Sequence, residues 1–285
     1  MVTAQPHSAQ RGIDHLVLPV RDLDQAAATY EALGFCVTPR AQHPFGTANR
    51  LVQLQGCFLE LLEVDRPELI GGTKKQPTFA EFNRDFLVGG EGFSMLVLEG
   101  GEIDATHDAI GAAGLDPRPK FSFERDAVQP DGSVARIGFD MVIIDYPDSP
   151  KAGFFTCTQR RPDLFWKSDY QTHANGAQGI HIVTLQGPDP DDLSEFLARF
   201  TACEAVKRPS GHVIDTPRGR IEIRAGSAQP AFNRFVLTTS SLDAVRAHAR
   251  AANIPCTERA LGLEFGPEHM YGIAVRFVAA RPASD

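Results

Sequence analysis

One pattern of secondary-structure elements recurs four times along this chain of 285 residues. Each copy opens with a short apolar strand, continues with a helix that has one apolar face, and ends with three further strands, in the order βαβββ. In the first copy the strand covers residues 13–18, and the helix begins near Asp22 and ends at Gly34, as a C′ glycine would end it. The other copies open at residues 93–98, 179–183 and 234–237. Internal duplication is therefore the first constraint on the fold.

The repeat excludes a doubly wound parallel sheet, because three strands follow each helix and no Gly-x-Gly-x-x-Gly turn follows a first strand. A single unit is too small to bury both faces of its own sheet, so the units must pair. Residues 65–90 and 162–176 fall outside the repeats. We interpret the first stretch as a surface segment and the second, which contains the only tryptophan, Trp166, as a linker between two halves.

Composition limits the function. The chain has 28 Lys and Arg against 36 Asp and Glu, a net charge of −8, which argues against nucleic-acid binding because phosphates require a basic surface. No apolar stretch is long enough for a membrane span, and the first 11 residues lack the apolar segment of a secretory signal. The five cysteines are scattered without a Cys-x-x-Cys pair. We expect a cytoplasmic protein with small buried thiols.

Several motifs resemble one superfamily. Asp-His-Leu-Val-Leu-Pro-Val at residues 14–20, Leu-Gly-Phe at 33–35 and Phe-Leu-Glu-Leu at 58–61 resemble the opening and closing segments of a module of the vicinal oxygen chelate superfamily. This superfamily is also called the glyoxalase, bleomycin-resistance and extradiol dioxygenase superfamily. The stretch His-x-x-Gly-Thr-x-Asn-Arg at residues 43–50 is similar to one that recurs in glyoxalase-like domain proteins.

The resemblance implies an α+β fold in which four βαβββ modules pair into two cup-like half-barrels of the glyoxalase and dioxygenase type. We predict an N-terminal domain over residues 1–165 and a C-terminal domain over 176–285. In the family, the first and last strands of each module carry metal ligands on the concave face, where alternate side chains converge. Imidazole and carboxylate ligands suit a divalent ion of Zn, Fe, Mn or Ni.

The ligand positions implied by the resemblance carry different residues in the four modules. In chain order the pairs are His15 and Glu60, Met95 and Thr156, His181 and Glu222, and Arg234 and Arg276. If sequential modules pair, which is the usual arrangement, each cup holds only two ligands, whereas a facial triad needs three. His43 or Gln159 is a candidate third ligand. If modules one and three paired instead, the cup would hold His and Glu from both.

We place the site in the N-terminal half. His15 and Glu60 are the predicted metal ligands, with His181 and Glu222 as weaker candidates, and Glu60 is also the candidate general base. The two side chains should lie within about 5 Å of each other, since alternation points both away from their flanking leucines. The alternatives are a core histidine and a solvated glutamate.

The segment that carries His43, Thr47 and Asn49 has two interpretations. As substrate-binding residues they would line the mouth of the first cup. As turn residues they would only shape the chain around Gly46.

Two functions of different class follow. The first is a metal-dependent enzyme, a lyase or isomerase or a dioxygenase, that acts on a small substrate with vicinal oxygens. The second is a metal-free protein that binds or sequesters a small molecule, as bleomycin-resistance proteins do. Both predict a small-molecule partner, no nucleic acid and no membrane, and both are compatible with a homodimer.

Overall fold

The computed structural model describes residues 10–71 and 78–280. Its strands are β1 (Ile13–Pro19), β2 (Ala41–Gln42), β3 (Thr47–Gln53), β4 (Phe58–Val64), β5 (Met95–Glu99), β6 (Phe121–Val128), β7 (Val134–Ile144), β8 (Gly153–Gln159), β9 (Ala177–Gly187), β10 (Ala205–Arg208), β11 (Gly211–Asp215), β12 (Arg220–Ala225), β13 (Ala231–Thr239), β14 (Thr257–Arg259), β15 (Gly262–Phe265) and β16 (Ala274–Ala279). Its helices are α1 (Leu23–Ala32), α2 (Phe79–Gly89), α3 (Ile103–Ala112), α4 (Pro162–Phe165), α5 (Pro190–Thr201) and α6 (Leu242–Ala251). The predicted βαβββ order therefore recurs in all four copies.

The strands form two eight-stranded mixed sheets, which confirms the predicted α+β fold. The first sheet has the order β2-β3-β4-β1-β5-β8-β7-β6, and the second has the order β10-β11-β12-β9-β13-β16-β15-β14. In each sheet two modules meet through antiparallel first strands, β1 with β5 and β9 with β13. Sequential modules therefore pair, and modules one and three do not. The predicted domain limits, 1–165 and 176–285, stay predictions.

The helix ends follow local sequence. Gly34 and Gly114 have φ angles of +85° and +76°, a conformation that only glycine adopts without strain, so the predicted glycine stops are present. Residues 65–90, interpreted from the sequence as a surface segment, also contain helix α2, which the sequence analysis did not predict. Thr78 and Glu81 form a capping box at its start.

Alternation along each strand divides the apolar residues between two cores. One core combines the convex faces of both sheets with the helices that cover them, and it joins the two halves of the chain. Phe93 and Phe232, from different halves, stack in it with ring centroids 3.9 Å apart. The other core lies on the concave face of the first sheet. The first sheet is thus apolar on both faces, and any polar group on its concave face is buried.

The stretch 162–176, interpreted from the sequence as a linker, also closes the first cup. Helix α4 places Phe165 in the concave core. Gln53 Nε2 donates to the carbonyl oxygen of Phe165 at 2.7 Å, and the Lys167 amide donates to Gln53 Oε1 at 3.1 Å.

All five cysteines are free. No helix within the described ranges is long and apolar enough to cross a membrane.

Candidate functional site

A pocket occupies the concave face of the first sheet. Its wall is mainly aromatic, and a few polar side chains lie within it. The lining residues are His15, His43, Phe45, Asn49, Leu51, Phe58, Glu60, Phe79, Phe123, Arg125, Phe139, Met141, Phe155, Cys157 and Phe165. We call this pocket the N-terminal cup. An apolar wall with few polar groups is typical of a small-molecule site.

His15 and Glu60 converge in the cup, as the sequence predicts. Strands β1 and β4 are parallel neighbours, with Val17 opposite Glu60, so His15 and Glu60 point to the same face. His15 Nε2 lies 3.7 Å from Glu60 Oε2, and both side chains are buried. The His15 ring stacks on Phe58 with centroids 4.1 Å apart, which fixes the plane of the imidazole.

Asp14 fixes the other side of the same imidazole. The pairing of β1 with β5 is irregular between Ile13 and His15, and Asp14 reaches its neighbour's ring despite the alternation of a regular strand. Asp14 Oδ2 lies 2.6 Å from His15 Nδ1, and Gln159 Nε2 donates to both Asp14 oxygens at 3.1 Å. Because an ionised carboxylate only accepts hydrogen bonds, Nδ1 is the donor, and Nε2 faces Glu60.

A second imidazole approaches Glu60 from the opposite side. His43 Nε2 lies 3.8 Å from Glu60 Oε1, and His43 Nδ1 lies 2.8 Å from Thr47 Oγ1. The turn between His43 and Thr47 requires Gly46, whose φ is +92°. A Cβ atom at this position would lie 2.4 Å from the backbone oxygen of Arg66. Thr47, predicted to bind substrate, is fully buried and does not line the cup, so its contact is with His43.

Asn49 contacts both Glu60 and His43. Its Nδ2 donates to Glu60 Oε1 at 2.6 Å and lies 3.2 Å from His43 Nε2. Burial raises the pKa of the Glu60 carboxyl, and the nearby His15 and the Asn49 bond offset part of this effect. Burial also lowers the pKa of His43 well below its usual value, and Arg125 adds to the effect, so His43 is neutral. A neutral imidazole can accept a hydrogen bond at one nitrogen, and Asn49 Nδ2 is placed to donate to His43 Nε2.

The donor set fits a divalent metal ion. Two imidazole Nε2 atoms flank one carboxylate, and each imidazole is held through Nδ1, as metal-ligating histidines usually are. The separations of 3.7 and 3.8 Å involve different oxygens of Glu60, and each suits a pair of atoms that share an ion, since two bonds of about 2.1 Å span at most about 4.2 Å. Among the described residues, His15, His43 and Glu60 do not place one ligand atom each within 4.8 Å of one another, so an ion bound by all three requires the side chains to move closer. Asn49 Oδ1 is buried beside them without a hydrogen-bond partner among the described residues. A cation would satisfy this oxygen.

Another group of potential ligands in the cup is less suitable. Atoms of Asp14, His15 and Cys157 lie within 4.8 Å of one another. However, Asp14 already accepts from His15 and Gln159. Burial and the adjacent Asp14 raise the pKa of the Cys157 thiol well above its ordinary value, whereas a metal ligand must be a thiolate. We therefore assign Asp14 an orienting role and Cys157 a place in the wall.

The second module contributes no ligand to this cup. Register aligns Met95 with His15, as expected, but it aligns Phe155 rather than Thr156 with Glu60. Thr156 lies between Phe155 and Cys157, which belong to the concave core, so Thr156 was assigned one residue out of register. The Phe155 ring contacts the His15 ring at 5.5 Å.

In the C-terminal cup, strand register places a residue other than His181 at the position that corresponds to His15. Thr184 is opposite Glu222, so Ile182 rather than His181 takes the position of His15. Glu222 accepts a hydrogen bond from Arg224 at 2.6 Å and lies 3.8 Å from Arg234. Glu222 is therefore compensated by arginine, and His181 lies one residue from the strand position that corresponds to His15.

Sequence reasoning missed Asp14 and Arg125. Arg125 lies on β6 and is 4% exposed. Its alternation with Phe121 and Phe123 was a usable signal, because residues two apart on a strand share a face. The position of Asp14 depends on the strand irregularity, for which the sequence carries no signal.

The fold and the cup define a protein of paired βαβββ modules with a buried His–Glu–His cluster in one half. The chain belongs to the glyoxalase-like domain family, whose model matches residues 13–201, more than half of its length. This match confirms the superfamily resemblance inferred from the motifs. A comparison with curated proteins gave no match.

Solved structures share this fold. A hypothetical protein from Staphylococcus aureus has a TM-score of 0.70 and 13% identity, covering 95% of this chain and 100% of that one. A fusion of a xylose isomerase-like TIM barrel with 4-hydroxyphenylpyruvate dioxygenase has a TM-score of 0.58 and 11% identity, covering 98% of this chain and 50% of that one. A mutant of 4-hydroxymandelate synthase from Streptomyces coelicolor has a TM-score of 0.56 and 9% identity, covering 98% and 95%. At such identities the likeness concerns the fold alone.

Proposed function

We propose that the protein is a metal-dependent enzyme of the lyase, isomerase or dioxygenase type, and that it acts on a small substrate with vicinal oxygens in the N-terminal cup. One observation carries this proposal. The Glu60 carboxylate lies between two imidazole nitrogens, 3.7 Å from His15 Nε2 and 3.8 Å from His43 Nε2. Two imidazoles with one carboxylate form a ligand set that leaves coordination positions open.

The residues divide into holding and orienting roles. His15, His43 and Glu60 would hold a Zn, Fe, Mn or Ni ion, which supplies Lewis-acid polarisation of substrate oxygens. Asp14 and Thr47 orient the two imidazoles through their Nδ1 atoms. These roles depart from the expectation for Thr47, which becomes a positioning residue.

Glu60 is also suited to proton transfer. Burial raises the pKa of the Glu60 carboxyl above that of an exposed glutamate, a shift of the kind found in groups that transfer protons. The apolar wall excludes water from the carboxylate and strengthens its electrostatic interactions. Asn49 Nδ2 holds one carboxylate oxygen at 2.6 Å and leaves the other facing His15.

A metal-free binding protein is the second candidate. It is favoured by Arg125, a buried guanidinium in the same cup whose electrostatic interaction with Glu60 compensates charge without an ion. It is also favoured by the apolar residues Met95 and Phe155 at the ligand positions of the second module. In this case the cup would hold its ligand by aromatic contacts. A cytoplasmic location and a homodimer stay predictions under either function.

Elemental analysis of protein purified without an affinity tag separates the two. We expect stoichiometric metal in the wild type after incubation with each of the four ions in turn, and its loss in Glu60→Gln and His15→Gln. Glu222→Gln, the equivalent change in the other cup, is the matched control and should retain the metal. Wild-type protein that binds none of the four ions would contradict the enzyme and support the binding protein.

A further inference from the structure

Arg125 in the wall of the N-terminal cup has hydrogen-bond donors that the protein leaves free. The guanidinium is buried, with its carbon atom 5.4 Å from the centre of the Phe139 ring. Nη1 donates to the carbonyl oxygen of Asp126 at 3.2 Å. Nε has no hydrogen-bond partner in the described part of the chain.

An arrangement of this kind is costly without a ligand. Burial lowers the pKa of Arg125 to about 10, and Glu60 offsets part of that effect. Glu60, however, already accepts from Asn49 and faces the two imidazoles. A buried N–H group without an acceptor destabilises the protein, and sites that retain such groups are usually completed by a bound molecule.

We infer that the N-terminal cup recognises a substrate with a ring-sized apolar body and one carboxylate group, and that Arg125 binds this carboxylate. The inference deepens the proposed function, because it concerns the same cup. Among the described residues that line the cup, Arg125 is the one permanent cation, which matches a single negative charge. The planar guanidinium presents paired N–H groups that fit the two oxygens of a carboxylate.

The wall near Arg125 offers contacts to an aromatic or alicyclic body, although the cavity of about 30 Å³ must widen to admit one. Phe139 lies under the guanidinium and stacks with Phe123 at 5.1 Å. Phe165 meets Phe139 edge-on at 5.6 Å. Rings at these separations and angles offer both faces and edges to a further ring. A ligand held in this way has its carboxylate at Arg125 and its remaining atoms along the aromatic wall.

Binding of matched acids and amides tests the inference. Benzoate and phenylacetate would be compared with benzamide and phenylacetamide, which have the same shape but no charge, and with acetate, which has no ring. Titration calorimetry would measure affinity, and Trp166, the only tryptophan, would report occupancy through its contact with Phe58 at 5.8 Å. In chelator-treated protein we expect each acid to bind about tenfold or more tightly than its amide, as bonds to a charged group suggest.

Variants assign the preference to one residue. Arg125→Gln should remove the preference for the acid while amide binding stays within about twofold, and Arg125→Lys should retain part of it. Arg136→Gln is the matched control, since Arg136 lies on the same hairpin but is exposed. Equal binding of acid and amide by the wild type would overturn the inference without any variant. A preference that survives Arg125→Gln, or that appears only after metal loading, would also overturn it.

The two proposals fail separately. A preference for the acid in protein that holds none of the four metals would support recognition by Arg125 and reject the metal-dependent enzyme. Stoichiometric metal without a preference for the acid would support the metal-dependent enzyme and reject recognition by Arg125.

Discussion

Replacing Asp14 by Asn tests how the His15 imidazole is oriented. In the wild type the Asp14 carboxylate accepts from His15 Nδ1 at 2.6 Å, and Gln159 holds both of its oxygens. An asparagine keeps the volume but removes the charge, and its amide nitrogen can donate to Nδ1. The tautomer with hydrogen on Nε2 is then favoured, and that nitrogen can no longer bind a metal ion.

Asp14→Asn should change two quantities, the free energy of unfolding and the affinity for metal. The lost interaction is a short, buried hydrogen bond to a charged group, which is worth about 1.5–3 kcal/mol of unfolding free energy. Loss of the group that orients a metal-ligating histidine usually lowers metal affinity about 10- to 100-fold. We expect both effects in Asp14→Asn. Asp126→Asn, an exposed carboxylate paired with Arg136, should change stability by less than about 0.5 kcal/mol and leave metal affinity unchanged.

The two effects require separate assays. Denaturant unfolding of chelator-treated protein gives the stability term without the contribution of bound metal. Competition with a chromogenic chelator gives the metal affinity. If Asp14→Asn lost stability but bound metal as tightly as the wild type, the carboxylate would be a structural anchor and the orienting role would be rejected. An unchanged free energy of unfolding in Asp14→Asn would reject the strength assigned to the hydrogen bond between Asp14 and His15.

Three further predictions concern stability. Glu264→Gln should cost about 1–2 kcal/mol at pH 7, because burial alone would raise the pKa of Glu264 but hydrogen bonds from Arg259 and Arg276 lower it on balance. A lowered native pKa gives stability that is present above the unfolded pKa and lost as pH falls through the native one, so urea titrations at pH 7 and pH 3 should show the difference shrinking. Gly46→Ala should cost about 1–3 kcal/mol in thermal unfolding, from its positive φ and the close backbone oxygen; an unchanged melting temperature would contradict this. Thr78→Ala should lose the capping box of α2 and about 1 kcal/mol, while Thr78→Ser should restore most of it in the same assay.

The fold could be predicted from the sequence because its strongest signals are local and repeated. Opening strands and apolar helix faces recur in each module, glycine stops follow the helices of the first two, and each signal depends on a few adjacent residues. The number of strands in the third and fourth modules was predicted, but the positions of β10, β11, β14 and β15 were not. These strands are short, and most of their residues are at least partly exposed, so they lack the apolar runs that mark buried strands. Helix α2 was missed although its capping box, Thr78 to Glu81, is readable from the sequence.

The candidate site could be predicted only as far as strand register allowed. Glu60 was found because it lies between residues of the opposite face in a regular stretch, and His15 because the part of β1 that begins with it pairs regularly with β4. Thr156 was assigned one residue out of register, because a shift of one residue moves a side chain to the other face of the sheet. His181 stays a prediction, and Ile182 lies at the strand position that corresponds to His15. The pairing of β9 with β13 contains three irregularities, and one of them lies beside Ile182. No periodicity in the sequence predicts where such an irregularity falls.

The contrast between the two cups supports placing function in the first. In the second cup the carboxylates are compensated by neighbouring arginines, Glu222 by Arg224 and Glu264 by Arg276. Nε of Arg224 and Nε of Arg234 are nevertheless buried there without a hydrogen-bond partner among the described residues. In the first cup Glu60 faces two imidazoles without an ion pair shorter than 3.7 Å among the described residues. The first cup also leaves buried polar atoms without partners on Asn49 and Arg125. Buried polar groups destabilise a protein unless something binds them. The two halves therefore differ in their carboxylates: the second cup pairs them with arginines at hydrogen-bond distance, whereas Glu60 in the first cup faces two imidazoles, where a metal ion, a ligand or both would complete the site under the proposed function.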